Sequence, residues 1–133
     1  MSFFRVATFL QRVLLADAVI SGATGLLLLL GASFLAGLLE LPEVLLRSAG
    51  LLLLPIVAYL AYLATGERLR RSAIWAVISL NALWAVASIL LLLSGSVAPN
   101  LLGAAFIIFQ ALVVALFAEL QYLGLRRSVT SVA

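Results

Sequence analysis

Four long apolar stretches, at about residues 13–39, 44–64, 73–93 and 101–123, take up most of this chain of 133 residues. A run of about 20 apolar residues spans hydrocarbon as a helix. With no water beside it, such a segment must satisfy its backbone within itself, which a helix does. The connectors are short, so neighbouring helices run antiparallel. The sequence therefore predicts an all-α protein, an up-down-up-down four-helix membrane bundle making one domain over residues 1–133.

The arginines predict how the bundle is threaded. Arg5 and Arg12 precede the first stretch, Arg68, Arg70 and Arg71 lie in the middle connector, and Arg126 and Arg127 follow the last. The other two connectors carry acidic or neutral residues. Basic residues flanking short loops stay on the cytoplasmic side, so both termini and the middle connector are expected there. Arg47 departs from the pattern. Glu43 precedes it by one helical turn, the favourable order for an ion pair, and the side chain is long enough to reach headgroups.

Composition narrows the chemistry. Two thirds of the residues are apolar and 10% are charged, unlike a soluble domain. The net charge of +3 sits mainly in the membrane-flanking arginines, which points to anionic lipid headgroups rather than nucleic acid. The chain has no cysteine and no histidine, which excludes disulfide and thiol chemistry and the usual zinc, copper and haem ligand sets. No lysine is present for a Schiff base. No metal site and no cofactor are expected.

The first stretch would be a helix about 40 Å long, more than a hydrocarbon core of about 30 Å, so it should tilt or protrude. It is too long for a signal-peptide core and is expected to be retained. Pro42 suits a first helical position and Glu43 a helix N-terminus. Pro55 removes one backbone bond from the second span and predicts a kink. Gly66 reads as a helix stop and Ser72 as an N-cap, while Ser128 to Ala133 are expected to fray. Ala18-Val19-Ile20-Ser21 recurs as Ala76-Val77-Ile78-Ser79, a faint sign of duplicated hairpins.

Polar residues inside membrane spans cost free energy and mark candidate sites. Asp17, Ser21 and Thr24 share one stripe of the first helix, beside the small pairs Ala18/Gly22 and Ser21/Gly25 that permit close helix packing. Asp17 is expected at the inner interface near Arg12, with a proton or cation site as the alternative. Asn81, Trp84 and Ser88 share a face of the third helix. On the fourth, Gly103, Phe106, Gln110, Val114, Phe117 and Gln121 share another. Asn81 and Gln110 are expected to bond to each other, or else to line a small pocket with Trp84, Phe106 and Tyr62. Glu119 lies about 180° from Gln110 and about 6 Å inside the basic end of its span. It is read mainly as an inner-rim partner of Arg12, of the middle connector's arginines or of a second copy, with a functional carboxylate as the alternative. Tyr59, Tyr62, Trp75 and Tyr122 form an expected aromatic belt at the inner ends.

Residues 12–22 (Arg12-Val13-Leu14-Leu15-Ala16-Asp17-Ala18-Val19-Ile20-Ser21-Gly22), Asn81-Ala82-Leu83-Trp84 and the segment from Ala118 to Arg127 give the chain a resemblance to small four-helix proteins of bacterial inner membranes. That resemblance covers nearly the whole chain and implies a location, with no site residues to carry over. A lone acid in the first helix is similar to the small multidrug resistance transporters. However, aspartate replaces their glutamate, their dimerisation pattern is missing from the last helix, and the arginine bias here is far stronger. The fluoride channels match in size but not in their glycine- and phenylalanine-based motifs.

The expected function is a non-catalytic packing or binding module, such as an accessory subunit of a membrane complex or a binder of lipid or another hydrophobic ligand. It would work among membrane lipids as a homo-oligomer or within a larger complex. The alternative is a small proton-coupled transporter or channel acting as a homodimer through Asp17. No spacing of Asp, Glu, Ser or Tyr forms a catalytic set, so no enzyme activity is expected. The threading can be checked directly, because engineered cysteines have no native competitor. A cysteine at Gly66 should react only with reagents that reach the cytoplasm, and labelling from outside would reverse the topology.

Overall fold

The computed structural model describes residues 3–130. Its helices are α1 (Thr8–Leu30), α2 (Ala32–Leu39), α3 (Glu43–Ala64), α4 (Arg71–Leu93) and α5 (Leu101–Arg127). Three short strands accompany them, β1 (Phe3–Arg5), β2 (Arg68–Arg70) and β3 (Val129–Thr130). Four helices, α1, α3, α4 and α5, are long and apolar enough to cross a membrane. Their outward faces are covered with large apolar side chains, among them Leu30, Leu83, Phe109 and Leu101, the last 87% exposed. Such a surface has no place in water but matches lipid.

The first apolar run is two helices, not one. It begins at Thr8, earlier than the hydropathy boundary suggests, and breaks at Gly31. There the amide still bonds to the Leu27 carbonyl at 2.8 Å, while a Cβ would meet that same oxygen at 2.8 Å. Dividing the run leaves α1 with 23 residues, about 35 Å at the helical rise, so the excess length is absorbed by a break. Pro55 lies within a continuous α3. Pro42 is the residue before that helix rather than its first, and Arg70, not Ser72, occupies the N-cap position of α4, without a side-chain capping bond.

The arginine-rich end carries a structure that helical periodicity did not suggest. Strand β1 pairs antiparallel with β2, Phe4 opposite Leu69, and with β3, Arg5 opposite Val129. The sheet ties the N-terminal segment, the middle connector and the C-terminal segment together. Ser128, expected to fray, is buried; its hydroxyl accepts from the Ala7 amide at 3.0 Å and donates to the Gly124 carbonyl at 2.8 Å. Residues 131–133 of that expected fray lie outside the described residues. At the far end Asn100 caps α5 by accepting from the Gly103 amide, and its side-chain amide donates to the Leu38 carbonyl at 2.9 Å.

Packing divides the bundle into two hairpin-like pairs, α1 with α3 and α4 with α5, which meet where α1 lies against α5. The α1–α3 crossing is close because two glycines face each other. A Cβ on Gly50 would lie 2.8 Å from the Gly25 carbonyl oxygen and from the Leu29 amide, whereas one on Gly22 would meet only Val57 Cγ1 at 3.5 Å. Gly124 similarly admits Leu10 of α1, which would be 2.9 Å from an added Cβ. Small residues let helix backbones approach where no hydrophobic force drives association. Gly50→Ala should therefore destabilise the bundle by about 1–3 kcal/mol through overpacking, and Gly22→Ala should change it little. Unfolding in mixed micelles against a denaturing detergent measures both, and equal effects would contradict the close crossing.

Candidate functional site

Between the two apolar clusters of the bundle lies a polar layer. One cluster, at the arginine-rich end, contains Leu10, Leu14, Leu60 and Ile74; the other, at the far end, contains Leu28, Leu35, Leu46 and Ile107. Asp17, Asn81 and Gln121 occupy the space between, 1%, 8% and 0% exposed. Asp17 is nine residues into α1 and Asn81 ten into α4, about 14–15 Å along their helices, while Gln121 lies six residues, about 9 Å, from the end of α5.

The layer is built around one carboxylate. Oδ2 of Asp17 accepts from Asn81 Nδ2 at 2.9 Å and from Gln121 Nε2 at 2.6 Å; Oδ1 accepts from the Ser21 hydroxyl at 2.9 Å. The second hydrogen of the Asn81 amide goes to Gln121 Oε1 at 2.9 Å. Turning either amide over would set its oxygen against the carboxylate, so the donors fix one arrangement. Ser21 stands one helical turn from Asp17, the spacing at which side chains on a helix meet. Helices α1, α4 and α5 are thereby joined at a single atom.

This corrects two expectations. Asp17 is not paired with Arg12: it is buried and bonded to Ser21, Asn81 and Gln121, while Arg12 is exposed. Asn81 does not bond to Gln110. Its partners are Asp17 and Gln121, and Gln110 instead accepts from the Trp84 indole at 3.0 Å. Gln121 was missed as a site residue. It belongs to the same stripe as Gln110, and depth measured from the arginine-rich ends would have singled it out.

Beside this layer, toward the far end, is a cavity of about 630 Å³ among α1, α3, α4 and α5, within the usual range of about 300–1,000 Å³ for ligand pockets. Thr24, Leu28, Leu52, Trp84, Phe106 and Phe117 are among its walls. Trp84, Phe106 and Gln110 line it as a pocket reading requires, but Tyr62 is 72% exposed on the outside. A second void of about 20 Å³ lies against Ser21 and Asn81 and shares Ser21, Leu53, Trp84 and Val114 with the cavity.

The remaining candidates sit at the surface. Glu119 is exposed on α5, eight residues before its end, and makes no ion pair among the described residues. The inner-rim pairing within the chain is therefore not formed. Glu43 and Arg47 are paired at 2.7 Å. At the arginine-rich end Trp75 and Tyr122 stack at a tilt, their centroids 5.7 Å apart, and Arg126 lies over the Tyr122 ring. Arg127 covers Phe9, and Arg68, at the edge of β2, is exposed. Arg70 and Arg71 mark the junction of β2 with α4. Tyr59 departs from the belt: it packs against the inner cluster, its hydroxyl 3.4 Å from the Ala73 carbonyl.

Four membrane-length helices with lipid-matched exteriors and a polar layer inside make this a multi-pass helical membrane protein. Comparison with known proteins finds no matching family model, no similar curated protein and no similar solved structure. The geometry alone ranks the polar residues. Gln121→Leu removes a donor from Asp17 and the acceptor of Asn81 in a buried site, a loss of about 1–3 kcal/mol. Gln110→Leu, which disturbs a half-buried pair, should cost less. Detergent-unfolding midpoints of the two variants check the order.

Proposed function

We propose that the protein is a non-catalytic binding module of the bacterial inner membrane that holds a hydrophobic ligand between its two helical pairs. The observation that carries this reading is the cavity, and in particular the state of its polar wall groups. The Thr24 hydroxyl donates to Ile20 O, Ser88 to Trp84 O, the Trp84 indole to Gln110, and the Gln110 amide to Ile107 O. With these donors occupied, and Ser48 alone of the lining hydroxyls without a hydrogen bond among the described residues and at an exposed position, an occupant needs mainly hydrocarbon rather than hydrogen-bonding groups, since an unmatched polar group there would be costly.

Access is from the side. Helices α3 and α4 share the inner apolar cluster through Leu60, Leu63, Ile74 and Val77. Toward the far end the cavity lies between them, with Leu45, Ser48 and Leu52 on one side and Ala87, Ser88 and Leu91 on the other. With both termini cytoplasmic, as the arginines favour, this is the outer half of the membrane. The arginine-rich rim is then a contact for anionic headgroups, and the apolar exterior is available to a second copy or to a larger membrane complex. A second reading, a proton-coupled transporter or channel working as a homodimer through Asp17, draws on the burial of that carboxylate.

Native mass spectrometry of protein extracted in mild detergent tests the binding reading. The wild type should retain a hydrophobic molecule, and the double variant Ala49→Phe/Ala87→Phe, which fills the cavity from both walls, should lose it at least tenfold. A wild type without any adduct, or an adduct equally held by the filled variant, would overturn it.

A further inference from the structure

We propose that Asp17 is a proton-binding site served by the Ser21 hydroxyl. The argument starts from what surrounds the carboxylate. Two of its three partners, the Asn81 and Gln121 amide nitrogens, can only donate, and both converge on Oδ2. The third, the Ser21 hydroxyl on Oδ1, can donate or accept. The layer as it stands therefore suits an ionised carboxylate, and it suits a neutral acid after one change. A proton added to Oδ1 stays bonded there and is donated in a hydrogen bond to Ser21 Oγ, whose own hydrogen turns away; Oδ2 keeps both amide donors. Nothing else in the layer has to move. The balance is one proton in, with the site going from one negative charge to none.

The surroundings give such a proton a purpose and a route. Among the described residues no ion pair involves the carboxylate. Along α1 the nearest basic side chain is the exposed Arg12, α2 carries none, and α3 bears charge only at its far end, in Glu43 and Arg47. After Arg71 at its start, α4 has no charged residue, and on α5 Glu119 faces outward while Arg126 and Arg127 lie at the end. The titratable side chain turned toward the same core is Tyr59, whose hydroxyl is directed to the Ala73 carbonyl. Even with three donors, a carboxylate charge inside a membrane bundle is expensive, and a single proton lowers that cost. The void of about 20 Å³ against Ser21 and Asn81 is large enough for one water, which needs about 10–15 Å³. That void adjoins the larger cavity through Ser21 and Trp84, so water-borne protons reach the serine before the carboxylate. One carboxylate is too few for a metal ion, and no cluster of three acidic or imidazole groups occurs among the described residues.

Asp17 is the only aspartate in the chain, which makes the test clean in the unmodified protein. Cell-free synthesis with aspartate carrying ¹³C at the γ-carboxyl labels this site alone. The labelled protein in lipid nanodiscs is followed by ¹³C NMR between about pH 9 and pH 4, a window that spans ordinary carboxylate titration. The resonance should pass reversibly from its carboxylate to its neutral-acid position, equally in sodium chloride and in choline chloride. Ser21→Ala takes a donor away from the charged form and should move the change to higher pH, and Ser21→Thr should return it to the wild-type position. Glu119→Gln should leave it as in the wild type. A resonance fixed at one position throughout overturns the proposal, as does a Ser21→Ala protein that behaves like the wild type. A change that sodium suppresses and choline does not would assign the site to a metal cation instead and equally overturn it.

Discussion

A charged or protonatable group buried inside a membrane-spanning bundle must be met mainly by protein, because lipid will not meet it. In this bundle the group is Asp17, and its three donors come from three positions, one on its own helix and one each on α4 and α5. Most helix–helix contact elsewhere is apolar side chain against apolar side chain, which differs little in free energy from contact with lipid. The carboxylate is different. Its donors have no alternative partners at that depth, so the layer sets the rotation of α1 and its height against α4 and α5. The apolar clusters on either side then pack in the register the layer allows.

Much of the architecture was legible in the sequence because membranes impose few choices. Span number, antiparallel order and the Glu43–Arg47 pair follow from run lengths, connector lengths and helical spacing. The β-sheet at the arginine-rich end was not legible. Its strands are two or three residues long, too short for any alternation to show, and they form because the topology delivers three chain segments to one place. Gly31 was equally silent as a breaker, since a glycine among leucines is common in membrane helices.

The site was half legible. Helical phase correctly grouped Asp17 with Ser21, and Gln110 with Gln121, but phase carries no information on depth. Counting from the arginine-rich ends, Asn81 lies ten residues in, Gln121 six and Gln110 seventeen, or about 15, 9 and 26 Å at the helical rise. The nearer glutamine in depth is Gln121, and it is the one that bonds to Asn81. Gln110 matches Trp84, thirteen residues in, instead. The hydropathy boundary at residue 123 hid this, because α5 continues to Arg127 and its polar residues lie deeper from that end than the boundary implies.

The cavity has a physical origin in the same constraints. The sheet and the inner cluster close the bundle at one end, and at the other Asn100 bonds across to the carbonyl of Leu38. Between these closures α1 is held to α3 by the Gly25–Gly50 approach, and α4 to α5 by their long antiparallel contact. Among the described residues no hydrogen bond between side chains links α3 to α4 along the far half, and no close glycine approach like that of Gly25 and Gly50 draws them together there. Collapse of that space would require α3 to leave the close crossing with α1 or α4 to leave Asp17, and each would break contacts that lipid cannot replace. An apolar space kept open by its neighbours' packing is the condition under which a hydrophobic ligand binds without first having to reorganise its site.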